Sequence, residues 1–172
     1  MQPLWSLLLA AAIGMATLQE SAGEEAHLAV SSSAFSSGGM IPSQFTCKGA
    51  NQNPPLQFQG IPRNAKSLAL IVDDPDAPGG TFTHWLVWNI EPATHQIAAG
   101  SAPTGAVQGE NDFGKPGYGG PCPPSGVHRY VFHLLALDRK LDLKAGAKRS
   151  ALDRAIAGHV IGKGELMGRF GR

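Results

Sequence analysis

Residues 71–89 read Ile-Val-Asp-Asp-Pro-Asp-Ala-Pro-Gly-Gly-Thr-Phe-Thr-His-Trp-Leu-Val-Trp-Asn, and this stretch begins and ends as a β-strand. The two prolines and the Gly-Gly pair in its middle interrupt regular pairing, because proline has no N–H for a ladder and glycine adopts conformations that other residues avoid. The sequence therefore predicts a loop between two strands, and this loop carries the carboxylates of Asp73, Asp74 and Asp76.

His84 opens the strand that follows the acidic loop. Strict alternation places its side chain on the face of Leu86 and Trp88, with Trp85 and Val87 on the opposite face. Because both faces are apolar, we expect this strand to be covered on both sides. A histidine therefore enters a buried strand directly after a rigid acidic turn, which makes the stretch a candidate pocket.

The composition favours a β-rich fold. The 172 residues include 22 glycines and 13 prolines, and only 16% of them are charged. These features, without long amphipathic periodicity, favour short strands joined by many turns over a helical bundle. The length suits one domain with a sizeable core, and we find no repeat or linker that would mark a second one.

The charge pattern predicts no nucleic-acid partner. The formal net charge is +1, and basic residues accumulate from Arg139 onward. They are scattered and lack interleaved aromatic residues, which is typical of a solvated helix face and tail rather than of a nucleic-acid surface.

The amino terminus predicts export. An apolar run from Leu4 to Leu18 is followed by small residues, Ser21-Ala22-Gly23, at the spacing that a signal peptidase reads. We predict a signal peptide over residues 1–23, a mature domain over residues 24–172, and a secreted or periplasmic protein. The run is short for a bilayer span of about 20 apolar residues, and no other segment is a candidate span. An N-terminal core helix is the alternative, since no Lys or Arg precedes the run.

Cys47 and Cys122 are the two cysteines of the chain. Disulfides persist in exported proteins, and only one intramolecular pairing exists, so we predict a bridge between them. Two separate buried thiols are the alternative.

Further elements follow from the residue pattern. Gly158 and the helical spacing before it predict one helix that begins at the N-cap candidate Ser150, and residues 100–117 predict a long loop. Strands are predicted over residues 28–33, 67–73, 128–137 and 160–170. In the third of these, alternation places His128 and Tyr130 on one face, whereas Arg129 points away and can pair with a carboxylate behind the site.

Two groups of residues resemble the signature regions of the phosphatidylethanolamine-binding protein (PEBP) family, in particular its bacterial Raf-kinase-inhibitor-like branch. They are Asp74-Pro75-Asp76-Ala77-Pro78 with His84 entering a strand, and Gly120-Pro121 followed by Gly126-Val127-His128-Arg129-Tyr130. Supporting pieces are Asn53-Pro54-Pro55-Leu56, Asn111-Asp112-Phe113-Gly114 and Gly158-His159-Val160. The likeness extends from about Leu28 to Arg172.

This resemblance implies a mainly β fold, a sandwich of two antiparallel sheets with a few short helices, and a small anion-binding pocket at one end. It implies that the ligand is phosphorylated or another small anion, such as a phospholipid head group. It implies no cofactor and no metal. In some members of the family the protein partner is a kinase or a protease. The family's ligand-binding positions fall on Asp74, Asp76, Pro78, His84, Gly120, His128 and Tyr130. The chain departs from animal members at Phe82, where they have a tryptophan, and lacks a match for their C-terminal helix.

The chemistry of these residues agrees with an anion site. Imidazole N–H groups, the Tyr130 hydroxyl and backbone N–H groups near Gly120 can surround a phosphoryl oxygen. The acids would repel a phosphate unless they are paired, so we expect Asp74 to accept from a histidine and Asp76 to pair with a base such as Arg129. Anion affinity is then predicted to fall as the pH rises through the histidine range.

Three alternatives use the same residues. Two His and two Asp side chains could bind Zn²⁺, although Asp-Pro-Asp has no known metal spacing. An Asp–His pair could act as the general base of a hydrolase, although neither Ser125 nor Cys122 lies in a nucleophile motif. Finally, His84 and His128 could be structural residues that hydrogen-bond to each other in a polar part of the core. Binding without catalysis is the preferred hypothesis.

Overall fold

The computed structural model describes residues 25–171, which form two β-sheets, one α-helix and one 3₁₀ turn. In chain order the elements are β1 (Ala26–His27), β2 (Ala29–Ser31), the 3₁₀ turn (Ser43–Phe45), β3 (Leu56–Gln59), β4 (Ser67–Asp74), β5 (Phe82–Ile90), β6 (Gln96–Ile97), β7 (Val107–Gln108), β8 (Val127–Leu137), α1 (Arg149–Ile156) and β9 (Val160–Gly171). The predicted signal peptide, residues 1–23, lies outside the described residues. No helix within residues 25–171 has the length and apolar character needed to cross a membrane.

The larger sheet has six strands in the order β1-β9-β8-β4-β5-β7, and the smaller sheet has three in the order β2-β3-β6. Neighbouring strands are antiparallel except β1, which pairs in parallel with β9. The predicted mainly β architecture of two sheets is confirmed, with this one parallel pair as an addition.

Strand β4 is the centre of the larger sheet, and all of its residues are buried. It lies between β5 and β8, and an apolar cluster covers each face of the sheet. On one face Trp85 and Val87 of β5 belong to the core shared with the smaller sheet. On the other face Leu86 and Trp88 belong to the cluster under helix α1. The expectation that the strand after the acidic loop is covered on both faces is confirmed.

The first predicted strand, residues 28–33, is observed only as β2 (Ala29–Ser31), and a separate strand, β1 (Ala26–His27), precedes it. Its neighbour β1 pairs with β9 in the larger sheet, whereas β2 pairs with β3 in the smaller sheet. Between them, the backbone N–H of Leu28 donates to the carbonyl oxygen of Lys163 at 2.9 Å. The chain therefore changes sheets at Leu28, a crossing that the alternation of side chains does not reveal.

Helix α1 begins two residues earlier than an N-cap at Ser150 predicts. Ser150 lies inside the helix rather than at its N-cap, and Lys148, which occupies that position, makes no side-chain cap. Arg149 is drawn into the first turn because its guanidinium donates from there to Asp73 at 2.6 Å and to Asp153 at 2.8 Å. Gly158 has a φ of 77°, the left-handed conformation expected of the glycine that follows a helix.

Two connections position the cavity described below. The predicted loop at residues 100–117 contains the short strand β7, which pairs with β5 and holds the loop against the larger sheet. The predicted disulfide between Cys47 and Cys122 is present and ties the residues after the 3₁₀ turn to the segment before β8. Beside it, the backbone N–H of Cys47 donates to the carbonyl oxygen of Pro121 at 3.1 Å.

Candidate functional site

A cavity of about 280 Å³ opens where the end of β4 meets the beginnings of β5 and β8. Its polar lining consists of the side chains of Asp74, His84 and His128. The disulfide contributes Cys122 to the wall. The apolar lining is Ala77, Pro78, Phe82, Phe113, Pro123 and Pro124.

The antiparallel register brings the polar residues together. Asp74 is the last residue of β4 and pairs with Phe82, the first residue of β5. Asp73 pairs with Val131 of β8, so both acids belong to the sheet and are buried. The prediction that Asp73 and Asp74 lie on the loop is therefore wrong, because ladder pairing extends to the residue before Pro75. Of the three predicted loop acids, Asp76 alone lies beyond the strand.

His84 is the extra residue of a β-bulge in β5. The residues on either side of it, Thr83 and Trp85, pair with consecutive residues of β4, so His84 has no partner of its own. A bulge breaks the alternation of side chains. The imidazole ring consequently packs 5.2 Å from the ring of Tyr130, which belongs to the same core cluster as Trp85. The prediction that His84 shares a face with Leu86 is wrong for this reason.

Both histidine rings are held through their Nδ1 atoms. Nδ1 of His84 donates to the carbonyl oxygen of Gly119 at 2.6 Å, and Nδ1 of His128 donates to Oδ2 of Asp74 at 2.7 Å. Carbonyl and carboxylate oxygens only accept, so each Nδ1 carries the hydrogen. Among residues 25–171 neither Nε2 atom has a hydrogen-bond partner. Both Nε2 atoms are therefore available to a molecule in the cavity.

The pKa of His84 is lowered below its ordinary value. Burial is the main cause, and the hydrogen bond to Gly119 and the negative charge of Asp74 partly oppose it. A neutral His84 with its hydrogen on Nδ1 presents Nε2 as an acceptor, whereas the protonated ring presents a donor. The ring therefore responds to the charge of whatever occupies the cavity.

The two acids of the Asp-Pro-Asp motif are both engaged. Asp74 accepts from His128 through Oδ2 and from the backbone N–H of Asp76 through Oδ1 at 2.9 Å. Asp76 accepts from the Arg129 side chain at 2.6 and 2.9 Å and from the Arg129 backbone N–H at 2.9 Å. These bonds hold the pKa of Asp76 well below its usual range. The predicted partners of both acids are confirmed, and Asp76 does not line the cavity.

Tyr130 and Gly120 also lie outside the cavity lining. Tyr130 is fully buried behind His84, and its hydroxyl has no hydrogen-bond partner among the described residues. Its pKa is raised, first by burial and then by the negative charge of Asp74, so the hydroxyl keeps its proton. Gly120 donates its backbone N–H to Oδ1 of Asn51 at 2.8 Å. Of the seven predicted ligand-binding residues, Asp74, Pro78, His84 and His128 line the cavity, whereas Asp76, Gly120 and Tyr130 do not. The ligand-binding roles of all seven stay predictions.

Sequence reasoning did not assign a role to Phe113. Its ring lies 4.8 Å from the ring of Phe82 and 5.3 Å from that of His84, and these two lie 5.2 Å apart. Three rings therefore form one wall of the cavity. Phe113 lies on an irregular loop, where periodicity has no predictive value. Its place in the Asn111-Asp112-Phe113-Gly114 motif was the one available signal.

The geometry of the described residues bears on each of the three alternatives. His84 hydrogen-bonds to Gly119 and His128 to Asp74, so the hypothesis that the two histidines only hydrogen-bond to each other is wrong. Among the described residues that line the cavity there is no serine or threonine, and the cysteine, Cys122, is bridged. Within residues 25–171 no group of three or more His, Cys, Asp or Glu side chains is arranged to hold a metal ion.

Comparisons with known proteins agree on one family. The family model described as phosphatidylethanolamine-binding protein matches residues 31–171. A UPF0098 protein of Methanothermobacter thermautotrophicus is 52% identical over 144 residues, which are 81% of this chain and 95% of that protein. A UPF0098 protein of Pyrococcus horikoshii is 50% identical over 159 residues, 87% of this chain and 80% of that protein.

Two crystal structures are similar to this fold. One is a candidate PEBP homologue from Chlamydia trachomatis, with a TM-score of 0.80 and 42% identity over 86% of this chain and 98% of that chain. The other is Escherichia coli YbcL, described as a new member of the mammalian PEBP family, with a TM-score of 0.79 and 32% identity over 87% of this chain and 99% of that chain.

Proposed function

Because the chain belongs to the phosphatidylethanolamine-binding protein family, we propose that it is an exported protein whose cavity binds a small ligand through a phosphoryl group, without turning it over. The observation that carries this proposal is the pair of histidines. Each ring is held through Nδ1 by an acceptor of the protein, and each leaves Nε2 available at the same cavity. Two imidazole donors at fixed positions suit the oxygens of a phosphoryl group.

Protonation supplies the positive charge of this site. No lysine or arginine lines the cavity among the described residues, and Asp74 places one negative charge beside it. The pKa of His84 is low in the free protein, and a bound anion stabilises the charged form of this ring. Binding of the anion is therefore accompanied by uptake of a proton. The pKa of His84 is higher in the complex. Affinity is consequently expected to fall by up to about tenfold per pH unit between the free and bound pKa values.

Isothermal titration calorimetry tests the proposal. The protein without residues 1–23 is titrated with inorganic phosphate and with phosphoethanolamine at pH about 6 and about 8, on either side of the histidine range. We expect saturable binding that is stronger at the lower pH and is lost in His128→Ala. His95→Ala is the matched control, because His95 is exposed and does not line the cavity. Affinity that is equal at the two pH values, or that survives in His128→Ala, would contradict the proposal.

Export is proposed on two observations. The disulfide between Cys47 and Cys122 is of the kind that persists outside the reducing cytosol, and the sequence predicts a cleaved signal peptide over residues 1–23. Expression of the full chain followed by intact-mass analysis of the secreted or periplasmic fraction tests this. We expect a mass that corresponds to cleavage near Gly23, and uncleaved protein in the cytosol would contradict it.

We further propose that ligand binding modulates a protein partner, a kinase or a protease, through the segment of residues 100–117. Phe113 of this segment is 43% exposed at the mouth of the cavity, so a bound ligand and a docked protein would contact the same side chain. Inhibition of a panel of kinases and proteases, with and without phosphoethanolamine, tests the idea. We expect inhibition that phosphoethanolamine changes and that Phe113→Ala abolishes.

A further inference from the structure

A second cavity, of about 250 Å³, adjoins the first. The two cavities share Phe113 and Cys122 as lining residues, so they lie on either side of one wall. Small-molecule sites usually occupy about 300–1,000 Å³. Each cavity alone is below this range, and the two together fall within it.

One loop, residues 111–117, which we call the Asn111 loop, contributes Phe113 to the wall and Lys115 to the second cavity. The rest of the second cavity is lined by Cys47, Asn51, Gly119, Gly120 and Cys122. Oδ1 of the buried Asn111 accepts the backbone N–H of Phe113 at 3.0 Å and that of Lys115 at 3.5 Å. Its Nδ2 donates to the carbonyl oxygen of Gly117 at 2.8 Å. A single buried amide therefore positions both Phe113 and Lys115.

The ring of Phe113 is fixed against the backbone on its other side. A Cβ added to Gly119 would lie 2.4 Å from the nearest ring atom, so the ring occupies space that only a glycine leaves open. Phe113 also contacts Phe82 and His84. The ring therefore packs between the two cavities on its inner side, while 43% of the residue stays exposed at their common mouth.

Lys115 is the one lysine or arginine, among the described residues, that lines either cavity. No carboxylate within residues 25–171 lies within ion-pair distance of its ammonium group, whereas Lys140, Lys148 and Lys163 are each paired with a glutamate. The second cavity therefore has an uncompensated positive charge, which suits an anionic group.

We propose that the two cavities form one composite site for a ligand with two acidic groups. The phosphoryl group lies between His84 and His128, and a carboxylate on a short chain passes Phe113 to reach the ammonium group of Lys115. The ligand class is thus a phosphomonoester that carries a carboxylate. The first half of this site rests on the function proposed above, and the second half is new.

Calorimetry with two matched ligand series tests the composite site. One series consists of alkyl phosphates of increasing chain length, and the other of the same compounds with a terminal carboxylate. At mildly acidic pH and low ionic strength, we expect the carboxylate to strengthen binding by about two- to fivefold at one chain length, the range of an exposed ion pair. Lys115→Met should abolish this preference and leave the affinity for alkyl phosphates unchanged. Lys48→Met is the matched control, because Lys48 lies over the ring of Phe170 and lines neither cavity.

The possible results separate the two proposals. If alkyl phosphates bind and His128→Ala abolishes their binding, but the carboxylate adds nothing at any chain length, the composite site is refuted and the phosphoryl site stands. A preference that survives in Lys115→Met also refutes the composite site. If neither series binds, both proposals fail.

Discussion

Removal of the disulfide is expected to destabilise the fold by a predictable amount. The change is the double variant Cys47→Ser with Cys122→Ser, which keeps both side chains small and removes the bridge. The bridge joins residues separated by 75 positions, and the chain-entropy model for a loop of this length gives about 4–5 kcal/mol. Native bridges commonly contribute about 2–4 kcal/mol. We therefore expect a loss of about 2–4 kcal/mol in the free energy of unfolding.

Urea unfolding followed by tryptophan fluorescence measures this loss. Trp85 and Trp88 are buried in the larger sheet, so their emission reports unfolding of the sheet itself. The variant should unfold at lower urea. Its m-value should be higher, because an unlinked denatured chain exposes more surface.

Reductant provides the control. It should lower the midpoint of the native protein to that of the double variant and leave the variant itself unaffected. A loss below about 1 kcal/mol would refute the reasoning, because it would lie far below the value that the chain-entropy model gives for so long a loop. An unchanged m-value with a large loss would also count against it, since the effect would then arise in the folded state.

Three further predictions concern the site and its support. The pKa of His84 is lowered below 6.5 in the folded protein, so protonation of this ring favours the unfolded chain. The free energy of unfolding should be at its full value above pH 6.5 and should fall by up to about 1.4 kcal/mol per pH unit between 6.5 and the folded pKa. Urea unfolding measures this fall, which should be smaller in His84→Gln. Arg149→Met removes the arginine that pairs with the buried carboxylate of Asp73. Because Arg149 is one-third exposed, the free energy of unfolding in urea should fall by an amount at the lower end of the roughly 3–5 kcal/mol typical of broken buried pairs. Gly119→Ala drives a Cβ into the Phe113 ring and should cost about 1–3 kcal/mol in the same assay, with phosphoethanolamine binding also weakened.

Each of these has a matched comparison. His95→Gln removes an exposed histidine and should leave the pH dependence as in the native protein. Arg154→Met, on the exposed side of helix α1, should be nearly neutral. Phe113→Ala should cancel most of the stability penalty of Gly119→Ala in the double variant, because it removes the ring that the added methyl group meets. A penalty that persists in that double variant would show that the overlap is not its cause.

The ion pairs around the Asp-Pro-Asp motif could be predicted from the sequence. Alternation on β8 turns His128 inward and Arg129 outward, and two acids two positions apart need two partners. Those two facts predict a histidine as the partner of Asp74 and Arg129 as a partner of Asp76, and the structure identifies the histidine as His128. Local patterning was sufficient here because β8 is regular throughout the site.

The face of His84 could not be predicted in this way. A one-residue bulge leaves no mark in the composition of β5, because it depends on how that strand aligns with β4. The same limit applies to helix α1, whose first turn is set by the pairing of Arg149 with the distant Asp73. It also applies to Phe113, which a loop and Asn111 bring to the cavity.

By itself, the sequence predicted the four long strands β4, β5, β8 and β9, the disulfide, the family resemblance and the acid–base residues of one end of the fold. These predictions rest on periodicity and turn residues, which are properties of short segments of the sequence. The tertiary structure alone decided which predicted residues line the cavity, that Phe113 divides it from a second one, and that Lys115 lies beyond. Those arrangements depend on strand register and on contacts between loops far apart in the chain, and such contacts are decided by the packing of the whole fold.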